Sequence, residues 1–109
     1  MASRRETQVS ETIAHLAGDF FAREGGVKAL MTVTYAHLSP DFKTATVYFS
    51  VLPQTHEAEA LAFAKRARSD FREYIKGHAL LHPIPFVDFA IDIGEKNRQR
   101  VDELTRKKP

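Results

Sequence analysis

The chain has 109 residues, with 16 Lys and Arg against 14 Asp and Glu, five His and no Cys, for a net charge of +2. That length holds one domain with a modest core; the missing thiols exclude disulfides and thiolate metal sites, and no apolar run approaches the roughly 18 residues that span a bilayer. So small a charge does not by itself drive association with a polyanion, and Met1-Ala2-Ser3-Arg4-Arg5-Glu6 leads into no apolar stretch of the signal-peptide kind, so a soluble, cytoplasmic protein is expected.

The first element reads as a helix. Val9, Ile13, Leu16 and Phe20 fall at i, i+4, i+7 and i+11, and Ala17 and Phe21 widen the apolar stripe. Arg4 and Arg5 stand ahead of it, and Gly25-Gly26 end it, because paired glycines supply the positive φ of a C-cap. Met31-Thr32-Val33-Thr34-Tyr35 then alternates as a strand rich in β-branched residues. Beyond it the apolar phase slips to Ala36 and Leu38, which requires a bulge or burial of both faces. Ser39-Pro40-Asp41 is a turn signal, and Ala45 to Leu52 is the clearest strand of the chain. The two strands make a hairpin, closed by Pro53.

A second helical region runs from His56 or Glu57 to about Gly77. Within it Lys65, Arg68, Arg72 and Lys76 recur at spacings of three, four and four. At about 100° of rotation per residue these cations fall within an arc of roughly 80°. Phe63, Ala64, Ala67, Phe71, Tyr74 and Ile75 take the opposing, core side, while Asp70, Glu73 and Arg66 project off the stripe. A near-neutral protein with a segregated cationic ridge is suited to meet an anion, and the expected partner is a polyanion.

Leu80 and Leu81 are expected to pack beneath the following connection, and His82-Pro83-Ile84-Pro85 forces an extended entry into the next element. There Val87, Phe89 and Ile91 alternate against Asp88, Ala90 and Asp92, a third strand ended by Gly94. Residues 1–94 form the domain; residues 95–109 are a polar, basic tail, frayed or partly helical, carrying Arg98 and Arg100 as secondary contacts. The order α-β-β-α(α)-β predicts a two-layer α+β domain whose three-stranded sheet is covered by helices on one face. The last strand follows a long helical crossover, so it can pair parallel and make the sheet mixed.

Those elements, with these residues, resemble the ribosome-binding factor A family, small bacterial domains of the type II KH class. The resemblance runs from about Arg5 to Asp92 through Leu30-Met31-Thr32-Val33-Thr34, Leu38-Ser39-Pro40-Asp41-Phe42, Ala45-Thr46-Val47-Tyr48-Phe49-Ser50, Arg72, and Pro85-Phe86-Val87-Asp88-Phe89-Ala90-Ile91-Asp92. It implies a type II KH-like fold in which an Ala-x-Gly kink divides the second helical region; here the triplet is Ala67-Arg68-Ser69, with Ser in the third place. It also implies binding to the immature small (30S) ribosomal subunit and support of 16S rRNA maturation, including the 5′ end, with possible ribosomal-protein contacts and no chemistry on the RNA. The expected RNA contacts are Lys65, Arg68, Ser69, Arg72 and Lys76, joined by Arg4, Arg5, Arg98 and Arg100. Guanidinium forks hold phosphate at two points, which puts Arg68 and Arg72 first.

Other chemistries are poorly supported. No exposed aromatic suited to base stacking is evident, and Tyr48 reads as a half-buried sheet residue. His78 and His82 are four apart, but Pro83 breaks the helix just beyond, so no metal is expected. Asp88 and Asp92 read as solvated strand residues rather than a catalytic pair, which would need a cleft. Ser10, Ser39 and Ser50 have no base partner or nucleophile elbow, so a hydrolase is disfavoured and no cofactor is expected. The chain is expected to be a monomer. The alternative from another class is a protein–protein adaptor using the sheet edge or the first helix, without a nucleic-acid role.

Overall fold

In the computed structural model of this chain, residues 3–24 and 28–94 are described. The first helix, α1, spans Arg4–Glu24. Ser3 starts it: its Oγ accepts from the Glu6 N–H at 3.1 Å and its carbonyl from the Thr7 N–H at 3.0 Å. A serine in that place satisfies donors that a first helical turn leaves open, so Arg4 and Arg5 lie inside the helix rather than ahead of it. Ile13, Leu16, Ala17, Phe20 and Phe21 form the buried stripe. Gly25-Gly26, expected to stop the helix, lie outside the described residues.

Three strands follow: β1 (Leu30–Leu38), β2 (Thr44–Leu52) and β3 (Phe86–Ile91). The sheet order is β1-β2-β3. β1 runs antiparallel to β2 and β3 parallel to it, so the sheet is mixed, as the long crossover allows. The phase slip in β1 is a bulge: Val33 pairs with Phe49, but Tyr35, not Thr34, pairs with the next residue, Tyr48. The extra residue sends Ala36 and Leu38 back to the helix side and puts Tyr35 on the open face, where its ring stacks on Tyr48 at 4.6 Å and 17°. Grouping Tyr35 with Met31 and Val33 therefore fails, because one inserted residue inverts the alternation. The Thr34 hydroxyl lies 2.6 Å from Asp92 Oδ2, and the Asp92 N–H donates to the Phe49 carbonyl at 2.8 Å. Asp92 is buried, not solvated; the chain bends over β2 just past β3 and carries that carboxylate to the bulge.

The hairpin turn is held by polar contacts. Ser39 Oγ donates to Asp41 Oδ1 at 2.7 Å, and the Phe42 N–H donates to the Ser39 carbonyl at 2.9 Å. Phe42 itself has φ 62, a left-handed conformation uncommon for a bulky residue. Its side chain is partly buried against the core, with the Arg5 guanidinium 5.6 Å over its ring.

The second helical region is two helices, α2 (Glu57–Arg66) and α3 (Arg68–His78), broken at Ala67. Ala67 has φ −87 and ψ 3, and its N–H is shared between the carbonyls of Phe63 and Ala64 at 3.0 and 3.1 Å. Such a backbone is open to any L-residue, so the break does not need glycine at Ser69. Arg68 Nε donates to the Lys65 carbonyl at 2.9 Å and covers an acceptor that the break releases.

Ala64, Ala67, Phe71 and Ile75 face the core as their spacing predicts. Phe71 lies 5.3 Å from Phe20 and 5.5 Å from Phe89, while Phe21 lies 5.1 Å from Phe89 and 5.5 Å from Phe49. These rings join α1 and α3 to the inner face of β2 and β3. Beyond α3, Ala79 turns extended, so successive side chains alternate. Ala79 and Leu81 pack against the core, and Leu80 is fully exposed, contrary to expectation. No helix among the described residues is long and apolar enough to cross a membrane.

Candidate nucleic-acid interface

The break at Ala67 divides the cationic stripe. Lys65 lies in the last turn of α2; Arg68, Arg72 and Lys76 lie along α3. Between α3 and the β2–β3 side of the sheet is an open cleft of about 730 Å³, with Arg68, Ser69 and Arg72 on one wall and Thr46, Phe86 and Asp88 on the other. β3 is an edge strand, which leaves the cleft open along its length. Lys76 is exposed, lies outside the cleft lining, and makes no ion pair among the described residues.

The stripe is not free of acid. Asp88 Oδ1 lies 2.7 Å from Lys65 Nζ and 3.4 Å from Arg68 Nη1, and it also accepts from the Phe89 N–H at 2.8 Å. Partial burial acts to raise the Asp88 pKa, but the Lys65 and Phe89 hydrogen bonds and the Lys65 and Arg68 charges outweigh it, so the pKa is lowered. Asp88 is ionised at neutral pH, half exposed, and sits in the cleft. The expectation of a solvated strand residue fails for that reason. Asp70 and Glu73 also line the cleft, so its lining carries three acids and two bases. Spacing along one helix cannot register a carboxylate arriving from a strand 20 or more positions later.

Arg72 is engaged differently from Arg68. Its Nη2 donates to the Ile84 carbonyl at 3.0 Å, its guanidinium carbon lies 4.9 Å over the Phe86 ring, and its Nε is buried without a hydrogen-bond partner. It fastens the entry of β3 to α3. Phe86 beneath it is 69% exposed, an aromatic on the cleft that the reading for base-stacking residues passed over. The signal was available: Phe86 stands on the alternation phase opposite Val87 and Phe89, so a β3 that buries those two turns Phe86 outward.

The cleft brings together Arg68, Ser69 and Arg72, with Lys65 at its edge through Asp88. Arg4 and Arg5 are on α1 and do not line it. Arg98 and Arg100 lie outside the described residues. Tyr48 is half-buried on the helix-free face. His78 stacks on Tyr74 at 3.9 Å, with its Nδ1 2.8 Å from the Tyr74 carbonyl.

An α+β domain with helices on one face and an open cleft beside a broken helix is the class defined by this geometry. The family model for ribosome-binding factor A matches residues 2–105, and the chain belongs to that family. It is 32% identical over 112 residues to ribosome-binding factor A of Afipia carboxidovorans, covering 96% of this chain and 78% of the relative. It is 31% identical over 107 residues to that of an Anaeromyxobacter species, covering 94% and 87%. The fold is similar to the crystal structure of ribosome-binding factor A from Thermus thermophilus, with a TM-score of 0.71 at 17% identity over 79% of this chain and 94% of that one.

Proposed function

We propose that this protein binds the immature small ribosomal subunit in the cytoplasm and supports maturation of 16S rRNA, including its 5′ end, without chemistry of its own. Family membership across nearly the whole chain carries the reading. The cleft supports it: a wall with guanidinium and hydroxyl groups, an exposed aromatic, and an open edge suit a single-stranded RNA segment better than duplex, since splayed bases can enter and stack. The resemblance implies an Ala-x-Gly kink in this helical region, and the break at Ala67 stands in that place.

Because Arg72 is bound to Ile84 and Lys65 and Arg68 share Asp88, phosphate neutralisation is modest. Lys65, Arg68 and Lys76 could each meet one phosphate, giving a log–log salt slope of about two to three. The test is sedimentation of the tagged protein through a ribosome gradient across a salt series. Co-migration with small subunits, weakening at that slope and reduced in Arg68→Glu, is expected. Migration with neither subunits nor whole ribosomes would overturn the proposal. The adaptor alternative has one feature of its own, a groove of about 510 Å³ between the first half of α1 and the edge strand β1; binding there would be nearly indifferent to salt and to Arg68.

A further inference from the structure

Two residues of β3 share the cleft side without serving the core. Phe86 and Asp88 are two apart on an edge strand, on the phase opposite the buried Val87 and Phe89, so they stand side by side about 6.6 Å apart at the usual strand rise. Phe86 has the Arg72 guanidinium over its ring at 4.9 Å and is 69% exposed; one face is held and solvent still reaches the ring. The guanidinium also anchors to the Ile84 carbonyl, which fixes the platform. Asp88 shows the same economy. Every hydrogen bond and ion pair it makes among the described residues converges on Oδ1, from Lys65, Arg68 and the Phe89 N–H. That leaves Oδ2 without a partner among the described residues, on a side chain that lines the same cleft as the Phe86 ring.

We infer that Phe86 and Asp88 form a base-reading subsite that takes one unstacked, amino-bearing nucleobase of single-stranded RNA. The base lies on Phe86 and its exocyclic amine donates to Asp88 Oδ2. The inference rests on the RNA reading above and adds the residues and the base class. A base on the ring carries its amine a few ångströms off centre, and a hydrogen bond of about 2.9 Å covers the remaining distance to the carboxylate. The excess of acids over bases in the cleft lining, a poor feature for gripping phosphate, suits this use: phosphates stay with the rim cations, and an acceptor-only carboxylate selects a donor edge. Cytosine offers N4–H₂ and adenine N6–H₂. Uracil puts a carbonyl at the place of the cytosine amine, so a carboxylate held there meets lone pairs; its one edge donor is the ring N3–H, set further in toward the ring.

The experiment is fluorescence anisotropy of the full chain with labelled single-stranded C7 and U7 RNA, which have equal charge and inverted Watson–Crick edges: an N4 amine beside an N3 acceptor in cytosine, an O4 carbonyl beside an N3–H donor in uracil. Wild type should bind C7 about tenfold more tightly than U7. Phe86→Ala should lose roughly tenfold or more on C7 while its melt falls only by the few degrees that loss of the Arg72 contact costs, and Phe86→Tyr should restore both. Asp88→Asn should bring the C7 to U7 ratio close to one while U7 binding holds or improves, because Lys65 and Arg68 are released toward phosphate. Equal affinity of wild type for the two oligomers, or unchanged C7 binding by Phe86→Ala, overturns the subsite. If Arg68→Ala weakens both oligomers and small-subunit sedimentation while Phe86→Ala and Asp88→Asn do not, the subsite falls and the RNA reading stands. If neither oligomer binds and Arg68→Ala leaves sedimentation unchanged, both fall.

Discussion

Replacing Arg72 separates a structural role from a phosphate contact. Arg72→Ala removes the bond to the Ile84 carbonyl at 3.0 Å and the guanidinium over Phe86 at 4.9 Å. A hydrogen bond from a charged donor contributes about 1.5–3 kcal/mol, and an exposed cation–π contact about 0.5–1 kcal/mol. Against these stands the buried Nε without a partner, whose desolvation costs about 1–3 kcal/mol and which the substitution also removes. The net expectation is a loss of about 1 kcal/mol, or about 4–8 °C in the melting temperature of a domain this size. Arg68 makes a longer ion pair, 3.4 Å, and donates from Nε to the Lys65 carbonyl at 2.9 Å, but half its side chain is exposed and water replaces both contacts, so Arg68→Ala should cost about 0.5 kcal/mol. The assay is a circular-dichroism melt of both variants beside their small-subunit affinity. A double-mutant cycle of Arg72→Ala with Phe86→Ala should return a coupling of about 0.5–1 kcal/mol. The reasoning is refuted if Arg72→Ala melts like wild type, shows no coupling to Phe86, and loses subunit binding to the same degree as Arg68→Ala. Arg72 would then be a free cation.

Leu16→Ala should destabilise the domain by roughly 2–5 kcal/mol, a large part of the typical total of about 5–15 kcal/mol; an unmoved urea midpoint would remove α1 from the core. Ser69→Gly should keep small-subunit binding at a helix cost of about 0.5 kcal/mol, because the break sits at Ala67. Ser69→Leu should weaken binding by crowding the cleft wall with its melt nearly unchanged, and equal sedimentation by all three proteins would show that Ser69 does not face RNA. The pKa of Asp88 is lowered from 3.8 on folding, so its contribution is fully present above that value and is lost as pH falls through the depressed one. Half-exposed pairs of this kind contribute no more than about 1 kcal/mol. The stability gap between wild type and Asp88→Asn, measured by urea titration, should therefore hold from pH 8 to pH 5 and shrink only in stronger acid; a gap that closes near pH 6 would contradict the assignment.

The elements were legible in the sequence because their signals are local. The spacing of Val9, Ile13, Leu16 and Phe20 sets α1, and the phase slip after Tyr35 required an irregularity that the structure supplies as a bulge at Thr34. The parallel pairing of β3 was open from the length of the crossover, though the order β1-β2-β3 was not. What local pattern could not supply is the position of a residue governed by its neighbours in space. Leu80 is apolar and exposed because the chain has already turned extended at Ala79. Phe42 adopts φ 62 because the turn around Ser39 and Asp41 dictates it, and nothing in its own identity favours that.

The site shows the same limit with more consequence. A helical wheel ranks Lys65, Arg68, Arg72 and Lys76 as equivalent cations, and the wheel is right about their face. Tertiary placement then differentiates them: one carboxylate from β3 ties two together, a backbone carbonyl and an aromatic ring hold the third, and the fourth stands outside the cleft. Electrostatic attraction alone grows with the number of free cations and is indifferent to sequence. Each cation spent on Asp88 or Ile84 lowers that term and raises the rigidity of the wall around Phe86 and Asp88. A cleft built in this way has few free cations for general affinity to RNA, and under the proposed subsite its remaining groups would discriminate by shape and donor edge. Selectivity between oligomers of equal charge, rather than tightness at low salt, is therefore the property by which this surface should be judged.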